Sequence, residues 1–309
     1  MNNLVSVIMN CRNGEKYLNE SLASVLNQTF LNWELIFVDN MSGDQSKKIF
    51  FQHQDKRLKY FNTNSNLNLG AARQFALDKC EGEFVAFLDT DDLWEKEKLE
   101  NQIKYFTDPQ VGMVISNTIF FSDQKKKIFY KKKPPTGYVL NELLNKYFIS
   151  LETLVCRKSF MDKILFKFDE GYTMISDLDL TLRLAKVSKL EYSPNILAKW
   201  RIHRASETWT KKNKFFSEKL LLFSKLQNDI KFNNDNETKK YLNFFKNNTH
   251  YNIVYYQIEN NFKKNEILNN LKKINNIDVK YILTFLLVNL PFKENLIKLI
   301  RKLTQLSPK

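Results

Sequence analysis

Three carboxylates fall within four residues at Asp89-Thr90-Asp91-Asp92, directly after the apolar run Phe84–Leu88. Charges that close repel, and the arrangement costs stability unless a cation or solvent offsets it. Oxygen-only donors suit a hard divalent cation, Mg²⁺ or Mn²⁺, which also binds phosphate oxygens. The competing use is structural, with Asp91-Asp92 capping a following helix. Asp39 ends another apolar run, Trp33–Val38, and precedes Asn40-Met41-Ser42-Gly43-Asp44. An acid there can accept hydrogen bonds from a ribose or base, or join a turn in which Ser42 or Asp44 caps a helix. Asp177 and Asp179 open a helical pattern over Asp177–Val187. A carboxylate so placed can act as a general base or simply complement the helix dipole. Residues two apart on a helix diverge in direction, so only one of the pair faces a substrate. Arg201, His203, Arg204 and Ser206 lie within six residues. Guanidinium groups grip phosphate oxygens bidentately, and a neutral imidazole can ligate a metal, although a lone His is more often structural.

The elements that must position these residues are legible in outline. Strand-like runs at Leu4–Met9, Trp33–Val38, Leu58–Asn62 and Phe84–Leu88 alternate with helical patterns at Glu15–Gln28, Asp44–Gln54 and Gly70–Lys79. Alternation of this kind predicts βαβ units and a mostly parallel sheet, with ligands gathering beyond the carboxyl ends of the strands. Gly112–Phe121 and Lys127–Tyr130 read as two further strands, and the basic run Lys125–Lys133 ends at a Pro134-Pro135-Thr136-Gly137 loop. Such a run is usually a solvated face. After about residue 212 strand signals fade, and Lys214–Ile230, Thr238–Asn260, Asn265–Asn275 and Lys280–Ile300 carry helical periodicity.

The chain has 309 residues, 43% hydrophobic and 14% aromatic, enough for a real core. Its net charge of +14 is uneven. Residues 207–309 hold 19 of the 48 Lys and Arg and 9 of the 34 Asp and Glu, so the tail is strongly basic and the front nearly neutral. A basic tail can meet nucleic acid or an anionic membrane surface. Cys11, Cys80 and Cys156 are widely spaced and form neither a C-x-x-C pair nor a zinc pattern, which predicts reduced, buried thiols. Met1-Asn2-Asn3 runs straight into a strand pattern, without a basic segment and long apolar run, which predicts a chain with no secretory leader. The apolar stretch Tyr281–Leu290 is about half of the ~20 residues a spanning helix needs. The expected location is cytoplasmic, peripheral on the inner face of the plasma membrane.

The motifs also occur in a familiar order. Val5-Ser-Val-Ile8, Asn13, Tyr17-Leu18, Ser24–Thr29 and Glu34–Asp39 resemble the opening of the inverting family-two glycosyltransferases. Gly70-Ala-Ala-Arg73, Phe87–Asp92, Ser176–Arg183 and Trp200–Ser206 continue the pattern, so the match spans about residues 4–206. The resemblance implies a GT-A fold, with a nucleotide-binding half over 1–110, an acceptor half over 111–210 and a basic helical region over 211–309. It implies that Asp39 holds the donor's base and that Arg73 assists there or at an acidic neighbour. It implies that Asp89 and Asp91 form the D-x-D motif, near the ribose and on the metal. It further implies that Asp177 is the catalytic base, and that His203 sits in a loop that closes over the diphosphate and adds a metal ligand. Trp94 is expected as a wall of the acceptor cleft or as core, with Arg201 and Arg204 on phosphate. Asn10, Arg12, Asn40 and Ser176 depart from the family's usual Pro, Tyr, Asp and Glu.

The reaction so implied is inverting, metal-dependent transfer of a hexose such as glucose from a UDP-sugar. The expected acceptor is a polyprenyl-pyrophosphate-linked or cell-surface bacterial oligosaccharide. A nucleotidyltransferase would need a Gly-rich basic loop after the first strand, and Asn10-Cys-Arg-Asn-Gly14 is poor in both. A nucleic-acid binder is disfavoured by the absence of any recognisable module and by the acid cluster. The tail either packs with its lysines in solvent or lies along an anionic bilayer.

Overall fold

The computed structural model describes residues 3–165, 167–203, 211–229, 232, 235–275, 277 and 279–289. Arg204, Ser206 and the basic stretch at 298–302 lie outside the described residues. The chain divides into two compact units, residues 1–140 with 147–210 and residues 141–146 with 211–309.

In the first unit, β1 (Val5–Cys11), β2 (Trp33–Asp39), β3 (Leu58–Asn62) and β4 (Phe84–Phe87) run parallel in the order β3-β2-β1-β4. Helices α1 (Leu18–Leu26), α2 (Ser46–Phe51) and α3 (Leu69–Leu77) make the crossovers. Every residue of β2 and β4 is buried, which is why these strands read as continuous apolar runs. Asp44, expected inside α2, precedes it instead and accepts from the Ser46 amide at 3.0 Å. Registers such as Cys11↔Asp39, Asp39↔Asn62 and Ile8↔Phe87 bring the carboxyl ends of the strands level. The chain steps from β1 to β2 on one side and returns to β4 on the other. The topological switch therefore lies between β1 and β4, and a crevice opens beyond their ends. The start of α3 is pressed against the segment 169–172: a Cβ on Gly70 would collide with the backbone carbonyls of Asp169 and Tyr172.

The second half of this unit adds antiparallel pairing to the mostly parallel sheet. It comprises β5 (Leu93–Trp94), α4 (Lys98–Ile103), β6 (Val111–Phe121), β7 (Lys126–Ile128), α5 (Leu140–Asn145), β8 (Val155–Arg157), α6 (Lys158–Met161), α7 (Ser176–Val187) and β9 (Lys189–Arg201), of which α5 falls mostly in the second unit. Strand β8 inserts antiparallel between β4 and β6, and the β5–β9 and β6–β7 pairs are also antiparallel, so the sheet is mixed. Strand β9, thirteen residues long, was not expected from the sequence and pairs parallel with β6. Its signal was hidden because Pro194-Asn195 interrupts the alternation and the register shifts near Asn117. The core of the unit is built from buried side chains of β1, β2 and β4 with Leu18, Leu22 and Val25 of α1.

The second unit is helical: α8 (Lys212–Asn228), α9 (Asn236–Glu259), α10 (Lys264–Leu271) and α11 (Val279–Asn289). Asp235 caps α9 by accepting from the Thr238 amide. Tyr251, Val254, Ile258, Ile267, Leu271 and Leu287 form its core. Burial, with Lys273 and Lys246 nearby, pushes the His250 imidazole down to about 4. Val279, Ile282, Phe285 and Leu286 remain 45–71% exposed on α11. Among the described residues no helix is long and apolar enough to cross a membrane.

Candidate active site

The loops after β1 and β2 are stitched to each other. Asn13 and Met41 both adopt left-handed backbone, φ 56° and 60°, a costly conformation for a non-glycine residue. Asn13 donates its amide to the Ser42 hydroxyl at 3.0 Å, and its side-chain oxygen accepts from the Gly43 amide at 2.8 Å. Asp39 sits at the root of this turn, 3% exposed. One of its oxygens accepts from the Ser42 amide at 2.9 Å and the other from the Tyr60 hydroxyl at 2.7 Å. Both oxygens keep a further lone pair. Asn40 does not belong to a base pocket. Its amide donates to the Leu67 carbonyl and its oxygen accepts from the Leu67 amide and the Thr63 hydroxyl. An aspartate could not donate there, so the departure at Asn40 has a structural reason. Asn10, likewise, ties the end of β1 to α3 through the Ala72 carbonyl at 3.0 Å.

Beyond β4 the acid turn is held by α1. The Ser21 hydroxyl donates to the carbonyls of Thr90 and Asp92 at 2.8 and 2.7 Å. The three carboxylates then meet three different environments. Asp89 faces Arg73, whose Nη2 lies 3.3 Å away while Nη1 donates to the Ser176 hydroxyl at 2.8 Å. Solvent reaches 42% of the Asp89 side chain. Even so, crowding by protein atoms lifts its carboxyl above the usual range; Asp91 and Asp177 add to the rise, and Arg73 opposes it. Asp91 meets His203, with Nε2 2.8 Å from Oδ2, and Tyr17 packs against the imidazole. Asp92 is buried and accepts from the Arg201 amide at 2.8 Å. Burial, with Glu152 beside it, holds Asp92 well above the carboxylate range.

Helix α7 contributes the remaining acids. Asp177 is partly exposed and its Oδ2 accepts from the Tyr147 hydroxyl at 3.0 Å. Asp179 is fully buried and pairs with Arg183 Nε at 2.8 Å. Burial thus removes Asp179 as a rival base, because its charge serves the interior of the helix. Arg73, by touching both Asp89 and Ser176, ties the acid turn to the first residue of α7. Ser176, a departure from the usual Glu, is what receives it.

Two expectations are corrected. Trp94 is 5% exposed within the core, and its indole N–H donates to the Glu152 carbonyl at 2.8 Å, so it is no wall of an acceptor cleft. Arg201 does not reach out to a phosphate. Its Nε bonds the Asp91 carbonyl at 2.9 Å, its Nη2 bonds Glu20 at 2.8 Å, and its guanidinium packs on Tyr17 and Phe121. It works as a clamp that fixes the acid turn to β9 and α1. Glu20, Tyr60 and Tyr147 were missed by sequence reasoning. No motif marks them, and they become informative only once their partners are known.

The donors present fit a divalent cation. Asp91 and His203 offer a carboxylate oxygen and an imidazole nitrogen side by side, while the charge of Asp89 is matched by Arg73. Among the described residues no cluster of three or more metal-ligating side chains occurs, so phosphate and water would have to complete such a shell.

Comparison with known proteins agrees with this architecture. The family model for glycosyl transferase family 2 matches residues 6–165. An uncharacterized glycosyltransferase of Methanocaldococcus jannaschii is 34% identical over 208 residues, covering 64% of this chain and 71% of its own. The Escherichia coli protein WfgD, a UDP-Glc:α-D-GlcNAc-diphosphoundecaprenol β-1,3-glucosyltransferase, is 32% identical over 165 residues, 53% of this chain and 64% of its own. Among solved structures, TarS 1–349 of S. aureus in complex with UDP superposes with a TM-score of 0.67 at 22% identity, covering 92% of this chain and 80% of that one. Against a longer TarS structure of S. aureus the chain spans 47% of that chain. The mannosyltransferase PcManGT of Pyrobaculum calidifontis, with GDP-Man and Mn²⁺, gives a TM-score of 0.59 at 16% identity, covering 96% and 86%. The first unit has the GT-A-like fold, and the chain is a glycosyltransferase that belongs to glycosyl transferase family 2.

Proposed function

We propose that this chain transfers a hexosyl group, with inversion, from a UDP-sugar to a lipid-linked bacterial oligosaccharide. The observation that carries the reading is the Arg73 bridge, which joins Asp89 at the strand tip to the helix that bears Asp177. Inversion needs attack on the anomeric carbon from the face opposite the leaving diphosphate. In this reaction Asp177 takes the proton of the acceptor hydroxyl, a contribution of roughly 10²–10⁴-fold, and the Tyr147 hydroxyl orients it. Asp39 receives the uracil or ribose, supported by its spare lone pairs beside the Ser42–Asp44 turn. Asp91 and His203 would hold Mg²⁺ or Mn²⁺, which when bound supplies positive charge against the departing diphosphate. Asp89, with Arg73 fixing it, lies on the ribose side of that pair. Arg201 keeps the acid turn in place.

UDP-glucose as donor and a diphospho-polyprenyl acceptor are supported by the name of WfgD. A narrower role, the branching glucosyltransferase of lipid-linked N-glycan assembly, rests on chain size and Lys/Asn-rich composition alone. Peripheral attachment to an anionic bilayer is supported by the exposed apolar residues of α11, with Lys272, Lys273 and Lys280 close in sequence. The domain reading is a catalytic region over 1–210 and a docking region over 211–309.

The test is a hydrolysis screen of UDP-, GDP- and dTDP-sugars with and without Mn²⁺. Metal-stimulated turnover of a UDP-sugar is expected, and no turnover of any donor would refute the proposal. Asp177→Asn should abolish transfer while UDP still binds; full activity would move the base elsewhere.

A further inference from the structure

The hairpin beyond β6 leads away from the site into a second feature. Residues 122–137 carry six lysines, Lys125, Lys126, Lys127, Lys131, Lys132 and Lys133, against one carboxylate, Asp123. Among the described residues Lys131, Lys132 and Lys133 are exposed and enter no ion pair. They do not simply project into solvent from a flat face. With Tyr130, Tyr192 and Pro194 they line a cleft of about 330 Å³. Its two tyrosines meet edge to face, ring centroids 5.5 Å apart. The wall is fixed from below: Asn117 holds both the amide and the carbonyl of Tyr130, at 3.0 Å each.

The cleft is also wired to the reaction centre. The Tyr130 hydroxyl donates to the Phe148 carbonyl, and the neighbouring Tyr147 bonds Asp177. At the base of the same hairpin, Phe121 packs on the Arg201 guanidinium at 4.7 Å. Three uncompensated ammonium groups around a tyrosine-walled cleft suit a ligand with clustered anionic oxygens, because ammonium groups donate to phosphate.

We propose that this cleft binds the diphosphate of the acceptor, so that Lys131–Lys133 hold the carrier end while the reactive sugar reaches Asp177. This deepens, and rests on, the reading of a diphospholipid-linked acceptor given above. The lysines act on acceptor affinity and leave donor chemistry untouched.

Two measurements test it. In detergent micelles, with no bilayer present, KM is compared for a lipid-diphosphate-linked sugar and for an alkyl glycoside of the same sugar. The triple variant K131Q/K132Q/K133Q should raise KM for the diphosphate acceptor about tenfold or more, as expected from losing several charge contacts. KM for the alkyl glycoside, and donor hydrolysis, should stay within about twofold on the same grounds. An unchanged KM, or an equal rise for both acceptors, would overturn the assignment. So would a variant that loses only sedimentation with phosphatidylglycerol vesicles while its micellar KM is normal, since the lysines would then serve the bilayer. The second measurement is calorimetric titration with inorganic pyrophosphate in EDTA, which needs no turnover and so survives failure of the proposed reaction. Binding that the triple variant loses supports the cleft; no binding to the wild-type chain, or binding the variant retains, refutes it.

Discussion

At the tips of β1, β2 and β4 charge is crowded and held, whereas on α11 apolar surface is left open. Asp39, Asp89, Asp91 and Asp92 each have a fixed partner drawn from another element: Tyr60, Arg73, His203 and the Arg201 amide. On α11, Leu287 and Val288 enter the helical core while Val279, Ile282, Phe285 and Leu286 stay in solvent. The first region shows what a pre-organised site demands, which is geometry fixed before substrate arrives. The second has surface area without geometry, which suits a partner such as a bilayer that needs no register.

The sharpest way to break this contrast is to remove one member of the held pair Asp91–His203. Asp91→Asn should lower donor hydrolysis and transfer by about 10³-fold while leaving the melting temperature nearly unchanged, as read by calorimetry and a UDP-release assay. A small loss of activity would mean that Asp91 is structural. Asp179→Asn should behave in the opposite manner. It breaks the buried ion pair with Arg183, a loss of about 3 kcal/mol or more in stability, with activity of the surviving folded fraction retained. Urea unfolding decides between stability and catalysis.

On the open side, the double change Ile282→Ser and Phe285→Ser should weaken sedimentation with anionic vesicles by about tenfold or more. Hydrolysis of soluble donor should not change. Equal vesicle binding would show that the exposed face has another purpose.

The smallest expected effect concerns Lys98, which is fully buried over Trp94 and bonded to Gln102 at 2.5 Å. Burial pushes its ammonium down to about 7. The unfolded chain keeps that proton up to the ordinary lysine value near 10.4. Stability therefore rises with pH between about 7 and 10, because the unfolded state binds the extra proton over that window. Lys98→Met should abolish this pH dependence, so that its stability relative to the native chain is highest at pH 6 and falls steadily toward pH 10. A pH-independent difference would place the lysine's proton elsewhere.

Much of the fold was legible before any contact was known. The β1–β4 alternation and its crossovers follow from apolar runs and helical periodicity, and the acid turn follows from three Asp residues at the end of a run. The mixed half was harder. Strand β9 is interrupted by Pro194-Asn195, and β8 has only three residues, too few to show a period. At the site, residue type alone leaves Trp94 open between cleft wall and core and points Arg201 toward phosphate. Their actual partners, Glu152 and Glu20, lie 58 and 181 residues away in the chain.

The sequence by itself determined the local grammar: where strands end, which loops carry acids, and that a basic helical region follows. Periodicity and turn chemistry are properties of neighbouring residues, so they can be read along the chain. Which acid holds which charge was decided only by tertiary structure. Asp177 and Asp179 share a helix and a residue type, yet one meets Tyr147 at a partly exposed position and the other is sealed against Arg183. A carboxylate's role depends on its solvation and on the groups brought to it from distant segments, and neither quantity is written in the residue itself.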